Sequence, residues 1–437
     1  MSTPNRRLER RAWVPATSEQ RVDEICTSLP CDAPAILDTI SSLIVENGRI
    51  HDVACVNLNP ATNTMSRAAV AALRSDLSSR TSLGYAGAKY EMGLEAIEQI
   101  EVIAAELAAL VFDADYAEVR VPSGAMANLY AFMATTEPGD SIIVPPASIA
   151  GHVTHHSPGA AGLYGLEIHE APIDAERYTV DIGALAVLVE RVKPRLITIG
   201  SSLNLTHHDV AALRLVADSV GARVLFDAAH LSGPIAGGAW PNPLAQGADL
   251  MTMSTYKSLG GPTAGLVLTN DADLAQRVDA IAFPGLTANF DVGKTAALAV
   301  TLAEWLADGA TRAEAMVACA QRLAVELTAL DVAVHHCGAL ATESHAFALD
   351  ARLLGGGAAT AQHLRRANLL SSAIGLPSGG DDGVRLGTNE LVRLGATTED
   401  MASLAALIAR ALGDPTPEDV SADVSAWRAT NLELPER

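Results

Sequence analysis

Aromatic side chains are scarce in this 437-residue chain: Phe, Tyr and Trp make up 4% of it, although hydrophobic residues reach 49%. The core must therefore be filled mainly by Ala, Val, Leu and Ile. Cysteine is scarce too. Cys26, Cys31, Cys55, Cys319 and Cys337 are odd in number and show no CxxC spacing, which excludes a disulfide framework and a structural zinc site and leaves reduced, mostly buried thiols as the expectation. Basic residues number 30 against 51 acidic ones, and a formal charge of −21 excludes nucleic acid and anionic membrane as partners. No run of about eighteen apolar residues occurs, and no apolar stretch follows the arginine-rich start, so no membrane span or secretory signal is expected and the protein reads as cytoplasmic.

What is present centres on Asp249-Leu-Met-Thr-Met-Ser254-Thr-Tyr-Lys257-Ser-Leu-Gly-Gly-Pro262, continuing to Leu268. One lysine, followed by a Gly-Gly-Pro turn, lies between two apolar runs that read as strands. About thirty residues earlier, Ala222-Arg-Val-Leu-Phe226 ends in Asp227-Ala-Ala-His230, delivering a carboxylate to the carboxyl end of a buried strand, where open α/β sheets bind ligands. Either charge alone would pass for an ordinary surface residue. Together they suit a pyridoxal phosphate enzyme, with Lys257 holding the aldehyde as an imine and Asp227 keeping the pyridinium nitrogen protonated. Upstream, Ala117–Val121 leads into Pro122-Ser123-Gly124-Ala125 and an Ala-rich helix, the pattern of a phosphate cradle at a helix N-terminus. His152, His155 and His156 lie close together, but no carboxylate or cysteine completes a ligand set, so no metal is expected.

Ser254-Thr-Tyr-Lys257-Ser-Leu-Gly-Gly-Pro resembles the lysine motif of the serine hydroxymethyltransferase family, and Phe226-Asp227-Ala-Ala-His230-Leu-Ser-Gly resembles its cofactor-aspartate motif. The resemblance runs over roughly residues 33 to 432. It implies an α/β fold, type I among pyridoxal phosphate enzymes, with a three-layer α/β/α large domain and a smaller α+β carboxyl-terminal domain. The expected organisation is an N-terminal arm and helices over 1–80, a cofactor domain over 81–293, and a bridging helix plus small domain over 294–437. It also implies a homodimer or dimer of dimers with the site at the interface. Residue by residue, it puts His152 on the pyridoxal ring face, His230 and Ser202 near the phenolic oxygen, and Ser123, Gly124, Ala125 and Ser254 at the cofactor, with the first three on its phosphate. Arg385, in Gly383-Val-Arg-Leu-Gly-Thr388, falls on the substrate carboxylate, which guanidinium grips in bidentate fashion. Tyr85 and Tyr90 fall on the substrate.

The departures from the family are as informative as the matches. Leu83 stands where the family has the glutamate needed for folate-dependent transfer, Glu91 replaces the second tyrosine of a pair, and Thr81 replaces a tyrosine that reaches the neighbouring subunit's phosphate. A leucine transfers no proton and holds no pterin. The loop Ile374–Asp382, which lines the folate site in the family, is short here. Folate-independent aldol or retro-aldol chemistry on a β-hydroxy-α-amino acid of the threonine or serine type is therefore expected, through a glycine quinonoid, as an aldolase or a transaldolase using a second aldehyde. Glu91, His152 and His155 are the candidates for taking the β-hydroxyl proton. The alternatives are tetrahydrofolate-dependent transfer from serine or α-methylserine, a racemase or other Cα–H enzyme using Glu91 with Lys257 or Tyr256, and a catalytically silent binding protein.

Along the chain, residues 1 to about 30 read as charged and irregular. Helices are expected over 33–47, 65–79, 94–112, 182–192, 210–220, 294–329, 401–412 and 419–433. His207 and His208 read as solvated.

Overall fold

Strand and helix alternate through the middle of the chain, and the computed structural model of the protein shows what the alternation builds. It describes residues 7–380 and 382–434; the first six residues of the expected arm, Asp381 of the short loop and the last three residues lie outside the described part. The chain divides into two units, 1–55 and 56–437.

In the first unit the segment expected to be irregular is helical over Ala16–Ser28. An exposed ion pair between Arg21 and Glu24 at i,i+3 and the Arg11–Glu19 contact accompany the helix. A second helix, Ala33–Gly48, begins where Asp32 Oδ1 accepts from the Ala35 N–H at 3.0 Å.

The second unit is organised by a seven-stranded sheet made of β1 (Tyr116–Glu118), β2 (Ser141–Val144), β3 (Glu167–Glu170), β4 (Leu196–Ile199), β5 (Arg223–Asp227), β6 (Leu250–Ser254) and β7 (Gly265–Thr269). Their order across the sheet is β1-β7-β6-β5-β4-β2-β3. The run from β3 to β6 is parallel, as a doubly wound sheet requires. At the other edge β7 is antiparallel to both of its neighbours. The cause is chain length: the connection 255–264 is too short for a helical crossover, so the chain must fold straight back. Lys257 sits in that connection. β5 and β6 are buried almost throughout, which is why they read as unbroken apolar runs rather than alternating ones.

Helix α1 (Gly124–Thr135) packs on β5, β6 and β7, and α2 (Val292–Ala329) runs along helices Arg67–Leu73, Glu95–Phe112 and Met401–Gly413. The helix expected over 65–79 is shorter than its Ala-rich sequence suggests. It is capped by Ser66, and it gives way to a 3-10 turn at Asp76–Ser79, where Ser75 Oγ donates to the Ala72 carbonyl and competes with the helical ladder. Beyond α2, β8 (Ala346–Asp350), β9 (Ser372–Ile374) and β10 (Gly383–Gly387) form an antiparallel sheet with β10 in the middle. Arg385 is thereby placed opposite Ser372 in the register. Val56–Asn57 pairs in parallel with Leu369–Leu370, bringing the start of this unit against its end. Among the described residues, no helix is long and apolar enough to cross a membrane.

The turn that carries Lys257 is tied to α2 by one bond, from the buried Trp305 Nε1 to the Leu259 carbonyl at 2.8 Å. Trp305→Phe keeps a ring in place but strands that carbonyl. It should lower unfolding free energy by about 1–3 kcal/mol. Urea unfolding measures the change, and an unshifted curve would show that the bond holds nothing.

Candidate active site

Because β5 and β6 are adjacent and parallel, their carboxyl ends emerge on the same edge of the sheet, and Asp227 pairs in register with Thr252. Lys257 lies three residues past the end of β6. It is 6% exposed, and its Nζ is 3.0 Å from His230 Nε2. Arg385 Nη1 approaches the same nitrogen at 3.4 Å. Lysine and arginine only donate, so His230 Nε2 must accept and the ring proton sits on Nδ1, which is buried without a hydrogen-bond partner. Burial, with two cations beside it, pushes the imidazole well below its usual range. Burial also brings Lys257 down to about 8; Asp227 pulls it up and Arg385 pushes it down. Near neutrality an appreciable share of Lys257 is the free, nucleophilic amine.

Asp227 is buried, and burial alone would raise its carboxyl. The His155 hydrogen bond and its neighbouring charges, the nearby His152 and the Asn128 amide outweigh that and hold the carboxyl well below the carboxylate range. Oδ2 accepts from His155 Nε2 and Asn128 Nδ2, each at 2.9 Å, and Oδ1 accepts from the Ala229 N–H at 3.0 Å. His155 is therefore not a residue of the site rim or a base for substrate: it is 1% exposed and directed at Asp227. Asn128 also donates to Thr154 Oγ1 at 2.9 Å and accepts from Thr252 Oγ1 at 2.6 Å. Thr154 in turn meets His152 Nδ1 through its hydroxyl at 2.8 Å and its N–H at 3.3 Å. An N–H can only donate, so His152 Nδ1 accepts and Nε2 carries the ring proton. Burial brings His152 down to about 4 despite the opposing pull of Asp227, so it is neutral at physiological pH. Asn128 was missed in the sequence as a site residue. Its one signal was position, one helical turn after Gly124 on α1.

At the N-terminus of α1, Ser123 Oγ accepts from the Met126 N–H at 3.3 Å. Gly124 is dictated by contact: a Cβ there would lie 2.1 Å from Ser254 Oγ. A Cβ at Gly265 would likewise lie 2.4 Å from the Ser123 carbonyl oxygen. Ala125 is exposed at the first turn. The result is a helix end with free N–H groups, drawn tightly against the end of β6, which suits an anion.

Arg385 is 6% exposed, and no carboxylate pairs with it among the described residues. Burial brings its guanidinium down to about 10, still charged at neutral pH. Ser202 meets Arg385 through its backbone carbonyl, not through its hydroxyl.

Tyr85 lies on a short hairpin, Gly84–Tyr85 paired with Ala88–Lys89, and Tyr90 and Glu91 follow it. Tyr85 OH donates to Asp279 Oδ2 at 2.7 Å and its ring meets Phe283 edge-on. It borders a cavity of about 470 Å³, lined also by Glu101, Glu118 and Arg120, that contains none of Lys257, Asp227, His230 and Arg385. Tyr90 is 82% exposed, and Glu91 Oε2 is buried without a partner. His208, expected in solvent, is buried between Thr179 Oγ1 and Asn204 Oδ1, each at 2.8 Å, while His207 is partly exposed beside Glu343. The loop after β4 folds inward, and Asn204 of that loop together with Thr179 of the preceding strand Thr179–Val180 satisfies His208.

This donor set fits pyridoxal phosphate. It offers a depressed lysine, an ionised carboxylate fixed by three donors, a neutral imidazole, a tight helix-end cradle and an unpaired guanidinium. Arginine supplies nearly all the positive charge of the chain, which has only four lysines, at 89, 193, 257 and 294. After reductive methylation of cofactor-free protein with carbon-13 formaldehyde, the Lys257 signal should therefore be resolved by NMR. Its charged form should be lost as pH rises through about 8. The folded-state value lies below the ordinary lysine value, so this group adds stability as pH climbs from there toward about 10.4. Titration of that signal at the ordinary lysine value would contradict the burial argument.

A family model for serine hydroxymethyltransferase matches residues 37–408. An alpha-methylserine aldolase of Variovorax paradoxus is 58% identical over 426 residues, covering 96% of this chain and 97% of that protein. An alpha-methylserine aldolase of Ralstonia sp is 48% identical over 427 residues, covering 96% and 98%. A serine hydroxymethyltransferase of Methanopyrus kandleri is 39% identical over 383 residues, covering 86% and 89%. With Asp227 at the end of β5, Lys257 just past the end of the adjacent parallel β6, and matches of this extent, the chain belongs to the serine hydroxymethyltransferase family and is an enzyme of its fold type I, pyridoxal phosphate-dependent group.

Proposed function

We propose that the protein cleaves the Cα–Cβ bond of a serine-type β-hydroxy-α-amino acid, without folate, and that α-methylserine, split to alanine and formaldehyde, is its best substrate. The observation that carries this reading is the buried, carboxylate-free Arg385 guanidinium beside a lysine of pKa about 8. Leu83 in place of the family's glutamate supports folate independence. The names of the Variovorax and Ralstonia relatives support the α-methyl substrate. Such a substrate has no Cα–H, so racemase chemistry cannot act on it.

Pyridoxal phosphate, when bound, supplies the electron sink that takes up the electrons of the breaking Cα bond. In this reading Lys257 holds it, Asp227 meets its ring nitrogen, His152 covers the ring face, and Ser123, Gly124, Ala125 and Ser254 surround its phosphate. His230 and Ser202 would contribute to holding it. Arg385 would take the substrate carboxylate and so set which Cα bond is presented to that electron sink.

The β-hydroxyl proton needs a base. His155 is committed to Asp227, and His152 offers a protonated Nε2, which donates to a hydroxyl rather than deprotonating it. In its free-amine form Lys257 would be the strongest neutral base in the cluster and would take that proton. Tyr85, Tyr90 and Glu91 enter this reading as contributions from a second copy of the chain in a homodimer.

The test is formaldehyde and alanine release from α-methylserine, beside L-serine and L-threonine, with and without tetrahydrofolate and an added acceptor aldehyde. Release without folate is expected, changing less than about twofold when folate is added, and Lys257→Ala should abolish it. Stimulation by the acceptor would point to transaldolase chemistry. Formaldehyde formed only in the presence of folate would sink the proposal.

A further inference from the structure

Arg385 does not face the site freely. We infer that Ser372 and Asn59 act as positioning residues that fix which edge of the Arg385 guanidinium meets the substrate carboxylate; this rests on the reading of Arg385 given above.

A guanidinium carries five N–H donors, on a side edge formed by Nε with one Nη and an end edge formed by the two Nη atoms. Ser372, opposite Arg385 in the β9–β10 register, has its hydroxyl 3.3 Å from Nε and 3.0 Å from Nη2, and so caps the side edge. Arginine cannot accept, so Ser372 Oγ accepts both bonds and its single proton must go elsewhere. It goes to Asn59 Oδ1, at 3.3 Å. Asn59 is fixed in turn: its Oδ1 also accepts from the Ala61 N–H at 3.1 Å, and its own N–H donates to Asn57 Oδ1 at 3.0 Å. Asn57 is buried and donates to Glu390 Oε2 at 2.6 Å.

Every donor in this chain has one direction, so the hydroxyl cannot rotate away without stranding either the guanidinium or Asn59. With the side edge capped and one Nη1 proton on the Ser202 carbonyl, the end edge consists of one unused Nη2 proton and the Nη1 proton that reaches His230 Nε2 only at 3.4 Å, a long bond that a carboxylate would take over. Nη1 is also the atom that approaches His230, which in turn meets Lys257. A carboxylate on this edge is therefore held on the Lys257 side of the arginine; one on the side edge would sit on the β9 side, where Ser372 stands. This is a bidentate, end-on geometry that lysine at 385 could not reproduce.

The experiment uses holoenzyme and compares Ser372→Ala, Ser372→Thr, Asn59→Ala and Arg385→Lys. KM and kcat are measured for α-methylserine, and Kd is measured by absorbance for alanine and for alaninol, which lacks the carboxylate. Ser372→Ala is expected to raise KM and the alanine Kd about tenfold, the scale of a lost charged hydrogen bond. It should leave kcat within about twofold and alaninol binding unchanged, and Ser372→Thr should restore all of these. Asn59→Ala should move the same quantities in the same direction by less; it keeps the falsification open should Ser372→Ala fold poorly. Equal losses for alanine and alaninol, or no loss in either variant, would overturn the inference. If Arg385→Lys leaves alanine binding intact, the assignment of Arg385 itself fails. If Arg385→Lys weakens alanine binding while Ser372→Ala and Asn59→Ala do not, only the positioning claim fails.

Discussion

The site is built on an imbalance of charge. Three basic groups, Lys257, His230 and Arg385, are buried within a few ångströms of one another, and the buried carboxylate near them, Asp227, has its Oδ2 committed to His155 and Asn128. A low-dielectric interior cannot hold three uncompensated positive charges. The cluster answers by giving up protons in order of ease. His230 is neutral, Lys257 is brought down to about 8, and Arg385 alone stays charged at neutral pH. The nucleophilic lysine is thus first a consequence of its own burial, with the charge of Arg385 pushing the same way.

The second constraint is directional. Asn128 is an amide with two donor protons and one acceptor oxygen, and each is assigned: Asp227, Thr154 and Thr252. That leaves Thr154 to set the His152 tautomer. An aspartate at 128 would keep the shape but reverse the bond to Thr154, lose the bond to Asp227 and set a second carboxylate beside it. The amide therefore links the charge state of Asp227 to the proton position on His152, through side chains from α1, β6 and the loop after β2.

Much of this was legible in the sequence, and the parts that were not share a cause. The lysine and aspartate strands, the Ser-Gly cradle and the Arg385 strand announce themselves because each carries its chemistry within a few consecutive residues. Asn128 and His155 do not, because their partner Asp227 is 99 and 72 residues away and only the parallel sheet closes that gap. Ser372 is only 13 residues from Arg385, yet its role depends on strand register, which spacing alone does not fix. The same limit produced the errors. His208 reads as polar and loop-borne, but the loop after β4 turns inward. Residues 16–28 read as a charged arm because charge pattern alone does not reveal that the segment is helical. Tyr85 sits on a short hairpin with Tyr90 and Glu91 just beyond it, and the intrachain partner of Tyr85 is Asp279, 194 residues away and in no motif of its own.

The charge imbalance also bears on how binding and chemistry are coupled. An α-amino acid brings the carboxylate that the cluster lacks. Placed on the end edge of Arg385, it stands close to His230 and Lys257, and a negative charge there favours the protonated form of every nearby base. The amine of Lys257 thereby becomes more basic when substrate is bound than when the site is empty. In the reading proposed above, a low pKa suits the lysine to hold the cofactor, and a raised one would suit it, once free, to take a proton from the substrate hydroxyl. An amine or alcohol without the carboxylate would leave the arginine uncompensated and the lysine weakly basic. Selection for amino acids and activation of the base would then arise from the same neutralisation of Arg385.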